Sequence, residues 1–238
     1  MRATRSKAPS DLELLKRLKD LSWLSAAQLK ELNAAMLVRN VKRDGVIYQE
    51  LGARSAEKHI LLSGTAQLNR LNGDGPRVVA MIMPGLIFRL PQMPPEVGHN
   101  FEWVALSDSR VGRLPIERYV AITLGVDYDA YARVSEPTES HLGRILARYP
   151  SFIGFALLQR VAVALMELSV EFGVQNQHGV VLGIAPTHKQ IADLVGASRP
   201  KVSVVMNYLR RSKVLERDGR RLTIATKRLE AIIAGASD

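Results

Sequence analysis

The sequence predicts an α+β chain in three parts. N-terminal helices lead into a small antiparallel β-barrel or sandwich, a helical middle follows, and a winged helix-turn-helix ends the chain. Three observations predict this. Leucines at helical spacing open the chain, and an apolar helical stretch occupies its middle. Between 41 and 114, short β-branched segments alternate with glycine-bearing turns. Near the C-terminus, two short helices share a three-residue glycine turn and are followed by a hairpin.

The first part runs over 11–39. Leu14, Leu15, Leu18, Leu21 and Leu24 recur at steps of three and four, and Leu29, Leu32 and Met36 continue after Ser25. Ser25 is placed to cap a second helix. From Val41 to Leu114 the turns fall at Asp44-Gly45, Ser63-Gly64, Asn72 to Gly75, Pro84-Gly85 and Val111-Gly112. Glycine and asparagine supply the positive φ of tight hairpins. The run 77–83 reads as one strand after the Asn72–Gly75 turn. From Glu117 to Gly173 the pattern is helical, punctuated by Pro137 and Pro150, with Ser135 and Ser151 as caps. The stretch 152–168 is apolar almost all the way round, so it needs burial on two sides, from a second domain or a second subunit. The stretch 173–183 reads as a linker.

The segment 186–225 carries the functional signal. Thr187 can cap a short helix, 188–195, that buries Ile191, Ala192 and Leu194 or Val195. Gly196-Ala197-Ser198 makes the turn, with Gly196 free to take the left-handed conformation. Ser198 then caps a helix, 199–211, with Pro200 tolerated in its first turn. Val202, Val205 or Met206, and Leu209 form its buried stripe. The other face holds Arg199, Lys201, Ser203, Val204 and Asn207, then Arg210 and Arg211. A hairpin with the turn Asp218-Gly219 and arginines Arg220 and Arg221 follows as a wing. Such a second helix enters the DNA major groove, with its N-terminal side chains on base edges and phosphates.

Charge supports a polyanionic partner. Of 238 residues, 33 are Lys or Arg and 23 Asp or Glu, a net +10. Residues 180–238 alone carry 11 basic and 5 acidic side chains, and 1–10 carry 3 basic and none acidic, so both ends are basic and the middle is nearly neutral. From charge, nucleic acid is the first expectation and an anionic membrane a distant second; with the helix-turn-helix, the expected partner is double-stranded DNA. The absence of cysteine excludes disulfides, thiolate metal sites and cysteine catalysis. No Walker loop, G-x-S-x-G or H-E-x-x-H motif occurs, so no enzyme activity, no metal and no cofactor are expected. The N-terminus does not read as a secretory signal and no apolar run is long enough for a membrane span, which predicts a cytoplasmic protein without membrane contact.

The segment THKQIADLVGASRPKVS, 187–203, resembles the helix-turn-helix of the CRP/FNR family of bacterial transcription regulators. Asp44-Gly45, Leu62-Ser63-Gly64 and Met83-Pro84-Gly85 are similar, in order and approximate spacing, to glycine positions of that family's cyclic-nucleotide-binding β-roll. The resemblance implies a β-roll effector-like domain over 1–114, helices and a linker that hold a homodimer over 115–180, and a winged helix-turn-helix over 181–238. The helix around Val161 is then the dimerisation helix. It also implies Thr187, His188, Lys189, Ser198, Arg199, Pro200, Lys201, Ser203, Val204, Asn207, Arg220 and Arg221 as the DNA-binding residues. A contact with RNA polymerase is compatible with it.

Two departures stand out. Cyclic-AMP-binding members have Gly-Glu-Leu after the Pro-Gly turn and an Arg-Ser or Arg-Thr pair later, the Glu taking the ribose and the Arg the phosphate. Here the positions read Phe88-Arg89-Leu90 and Asn100-Phe101. Arg89, Asn100 and Phe101 are therefore the candidate ligand residues, and they lack the usual charge-assisted contacts to cyclic AMP. In the recognition helix, Arg199 is kept while Pro200 and Val204 replace Glu and Arg. Some members bind haem, which singles out His59 or His99 as an axial ligand, against an ordinary surface or turn histidine. Arg70, Arg77, Arg89, Arg110 and Arg113 are either strand-edge charges or the lining of a pocket for a more anionic nucleotide effector, such as a cyclic dinucleotide. The reading is a DNA-binding regulator not controlled by cyclic AMP; its rival is a nucleotide sensor that acts mainly through protein contacts.

Overall fold

The computed structural model describes residues 9–50, 57–72, 75–87, 100–124, 154–177, 179–183 and 185–235. Arg89, the 91–95 loop, His99, His141, His178, Ser135, Pro137, Pro150 and Ser151 lie outside them. The chain divides into two compact units, residues 1–71 with 81–141, and 72–80 with 142–238.

The first unit opens with α1 (Asp11–Leu15), a 3-10 turn (Lys19–Leu21) and α2 (Ala26–Ala35). Ser10 and Ser25 each form a capping box, with Glu13 and Gln28 respectively, so the expected cap at Ser25 is present. The helical reading to 39 ends early, because Leu37–Val41 is strand β1. Leu14, Leu15, Leu18, Leu21, Leu24, Leu29, Leu32 and Met36 pack with Ile60, Leu62, Leu114, Tyr119 and Ile122 in one apolar cluster. The helices are thereby fastened to the strands and to α3 (Ile116–Leu124). A side-chain fork from Arg110 to both carboxylate oxygens of Asp11 adds a polar tie.

The strands are β1, β2 (Val46–Glu50), β3 (Glu57–Ser63), β4 (Ala66–Asn72), β5 (Gly75–Ile82), β6 (Gly85–Ile87), β7 (Asn100–Ala105) and β8 (Ser109–Pro115). Within the first unit β1-β8-β3-β6 form one antiparallel sheet and β2-β7-β4 a second, while residues 75–80 of β5 belong to the second unit. Asp44 and Gly64 have the positive φ that their turns were expected to need, 66° and 95°. Val111-Gly112 is not a turn. Gly112 sits inside β8, opposite Val38 and Ile60. A Cβ there would come within 2.6 Å of Met36 Sδ, so the glycine makes room for a core methionine.

The second unit holds α4 (Leu157–Phe172), β9 (Gly173–Asn176), β10 (Gly179–Leu182), α5 (His188–Leu194), α6 (Arg199–Arg211), β11 (Leu215–Asp218), β12 (Arg221–Ile224) and α7 (Thr226–Ile233). The expected linker over 173–183 is instead a β9–β10 pair that extends the wing into a four-stranded sheet, β11-β12-β10-β9. Two-residue alternation in so short a stretch is hidden by its glycines, and only pairing with β12 makes it a strand. The apolar helix around Val161 also finds its cover within the chain. Val161, Ala162, Ala164, Leu165 and Leu168 are buried in α4, which packs chiefly on α7, with α6 and β10 beside it. Its burial comes chiefly from α7, with α6 and β10 adding to it, so of the two covers expected, a second domain or a second subunit, the 181–238 part of the chain supplies the first for these residues.

Candidate nucleic-acid interface

The candidate interface is assembled by local rules. Thr187 Oγ1 accepts from the Gln190 amide at 3.2 Å, and Gln190 Oε1 accepts from the Thr187 amide at 2.8 Å. This capping box fixes where α5 begins. Ile191, Ala192 and Leu194 are its buried face. Gly196, at φ 61°, turns the chain, and the Ala197 amide donates to Ala192 O at 2.9 Å. α6 then starts at Arg199, with Ser198 at the N-cap position and Pro200 in the first turn; the Ser198 side chain makes no cap bond.

The α6 stripe buries Val202, Met206 and Leu209. On its outer side Arg199, Pro200, Lys201, Val204 and Asn207 are exposed. Val204 keeps 69% of its surface and Tyr208 54%, large apolar groups on a helix whose opposite face is fully packed. Tyr208 was not among the expected site residues. Its position one turn after Val204 is the signal that finds it. Asn207 Oδ1 accepts from Arg210 Nη2 at 3.1 Å. The wing carries Arg220 and Arg221, both exposed beside the Asp218-Gly219 turn.

Residues 159–232 match the family model of the Crp-like helix-turn-helix domain. The C-terminal part of this chain is similar to a Crp-like helix-turn-helix domain. The match begins in α4, so the helix that packs beneath the motif is part of the domain. Beyond it, the whole chain has the fold of CRP/FNR-type transcription regulators. A CooA mutant from Carboxydothermus hydrogenoformans superposes with a TM-score of 0.67 at 18% identity, over 96% of this chain and 98% of that one. FixK2 from Bradyrhizobium japonicum gives 0.67 at 21% identity, over 85% and 99%. The c-di-GMP responsive global regulator CLP from Xanthomonas campestris gives 0.65 at 15% identity, over 84% and 99%. No curated protein sequence matches the chain.

Within the Crp-like domain, two expected residues are engaged rather than simply exposed. Lys189 Nζ lies 2.8 Å from Asp193 Oδ2 and 3.2 Å from Pro76 O. The Asp193 carboxylate is 1% exposed and is also met by Arg77 Nη1 at 3.4 Å and the Val78 amide at 3.3 Å, all within the second unit. Ser203 is half-buried, its Oγ 2.8 Å from His188 Nδ1. Burial, then the cations Arg210, Arg199 and Arg217, hold the His188 imidazole below its ordinary pKa.

The expected ligand residues are not brought together here, since Arg89 lies outside the described residues. Asn100 and Phe101 lie on β7, in register with Leu71 and Arg70 of β4. Three of the roll arginines already have carboxylate partners: Arg77 meets Asp193, Arg110 meets Asp11 and Arg113 meets Glu57. That favours the strand-edge reading for those three. His59 is buried and stacks on Tyr48 at 4.7 Å. Among the described residues, no three His, Asp or Glu side chains group to hold a metal, and no helix is long and apolar enough to cross a membrane.

Proposed function

We propose that this chain is a sequence-specific, DNA-binding transcription regulator that acts as a homodimer and is not controlled by cyclic AMP. One observation carries the reading. α6 presents Arg199, Lys201, Val204 and Asn207 opposite a stripe of Val202, Met206 and Leu209 that fixes its orientation. Arg199 has the fork that fits guanine O6 and N7, and Val204 offers an apolar contact for a thymine methyl group. Thr187, Lys189, Ser198, Arg220 and Arg221 are suited to phosphates. A dimer follows from reach. One such helix reads a short site, and two on a two-fold axis read half-sites about 34 Å apart. Of the 115–180 region, the part before α4, residues 115–156, is the segment we assign to dimer contact, because the buried face of α4 is occupied within its own domain.

The loss of cyclic AMP control rests on chemistry. Arg89 offers donors where a ribose hydroxyl needs an acceptor, and Asn100-Phe101 offers no cation for the phosphate. Selection of bound sites from random duplex DNA, with and without cyclic AMP and cyclic di-GMP, tests the whole reading. The expected product is a two-fold-related site recovered without nucleotide and unchanged by cyclic AMP. Arg199→Ala should then cost about 1–3 kcal/mol and relax preference at one base pair per half-site. An equal loss of affinity on every sequence refutes the role given to Arg199.

A further inference from the structure

His188 and Ser203 make a contact that the family-level reading does not supply. His188 is the first residue of α5, Ser203 lies in the middle of α6, and their Nδ1 and Oγ atoms are 2.8 Å apart. The ring is partly exposed, so a ligand at the protein surface can reach it. The charged groups that act on it are Arg199 and Arg210 from α6 and Arg217 from β11, all cations. On its own helix the nearest carboxylate, Asp193, is 1% exposed and engaged with Lys189 and Arg77. From α4, Arg160 donates to Val195 O, at the far end of α5. Burial of the ring, and then the cations Arg210, Arg199 and Arg217, favour neutral imidazole in the free protein.

Resting on the DNA-binding function above, we propose that His188 and Ser203 form a proton-linked contact for a DNA phosphate, so that binding draws up to one proton from solvent onto each His188. Burial is the first cause that holds the ring neutral and the cations Arg210, Arg199 and Arg217 add to it; a phosphate beside the ring offsets the cations' share and supplies a partner for the protonated form. The protonated ring has two N–H donors and no acceptor. Nδ1–H donates to Ser203 Oγ, and Nε2–H is free for the phosphate oxygen. With Nδ1 protonated, Ser203 Oγ is the acceptor of this bond, so its hydroxyl proton is available to another acceptor. The contact therefore couples pH to what α6 offers DNA.

Linkage fixes the sign. The bound state holds more protons, so affinity rises as pH falls, by at most about tenfold per pH unit for each His188 that takes up a proton. The test is a set of anisotropy titrations of full-length protein with a selected duplex, from pH 8 to pH 6 at constant ionic strength. Calorimetry in buffers of different ionisation enthalpy counts the protons. Wild type should gain affinity toward pH 6 and take up a fraction of a proton per chain. His188→Gln keeps a hydrogen-bonding partner for Ser203 and cannot titrate, so it should bind more weakly with a flattened profile. Ser203→Ala should keep proton uptake and lose affinity mainly at low pH. A pH-independent wild type, or a His188→Gln variant that keeps the slope, overturns this inference alone. A chain that binds no duplex at any pH overturns the functional reading as well.

Discussion

His59 makes the β-strand unit sensitive to mild acid. The imidazole is 6% exposed on β3, stacked on Tyr48, with Glu57 Oε2 3.9 Å from Nε2. Burial depresses its pKa from 6.5 to about 4; Glu57 opposes the shift, and Arg39, Arg113 and Lys58 add to it. A base with a depressed folded-state pKa is bound to more protons in the unfolded chain between those two values. Its contribution to stability is thus complete above pH 6.5, falls as pH drops toward 4, and levels off below. At about 1.4 kcal/mol for each tenfold change, the loss by pH 4 is about 3 kcal/mol. The perturbation is His59→Phe, which keeps a ring against Tyr48 and removes the titration. Denaturant unfolding at pH 7 and pH 4 can be followed by tryptophan emission, because the two tryptophans, Trp23 and Trp103, both lie in this unit. Wild type should lose about 3 kcal/mol more than His59→Phe across that interval, carboxylate titration being common to both. Equal losses would refute the burial argument.

Two changes probe the Crp-like domain. Leu209 is fully buried on α6, so Leu209→Ala should destabilise the domain by about 2–5 kcal/mol and lower its melting temperature; circular dichroism at 222 nm that shows no shift would mean α6 is packed otherwise. Thr187→Ala breaks the capping box of α5 and should cost about 1 kcal/mol in denaturant titrations.

The helix-turn-helix was legible because its signals are local. Cap, glycine turn and buried stripe all fall within 187–211, and each is set by residues a few positions apart. The turns at Asp44 and Gly64 were legible for the same reason, since positive φ is demanded by the turn itself. Gly112 misled because the same residue also serves where a distant side chain, Met36, needs space. The apolar girth of α4 told that it needed cover but not whose.

What the amino-acid sequence determined by itself was the α+β class, the winged helix-turn-helix with its exposed Arg199 face, and the basic C-terminal region. Periodicity, capping and charge are short-range properties of the chain. The tertiary structure alone decided that 173–182 joins the wing sheet, that α4 is buried by α7 and its neighbours, and that His188 meets Ser203. Each of these depends on partners brought close by folding, and hydrogen bonding, burial and charge act through distance in space rather than along the chain.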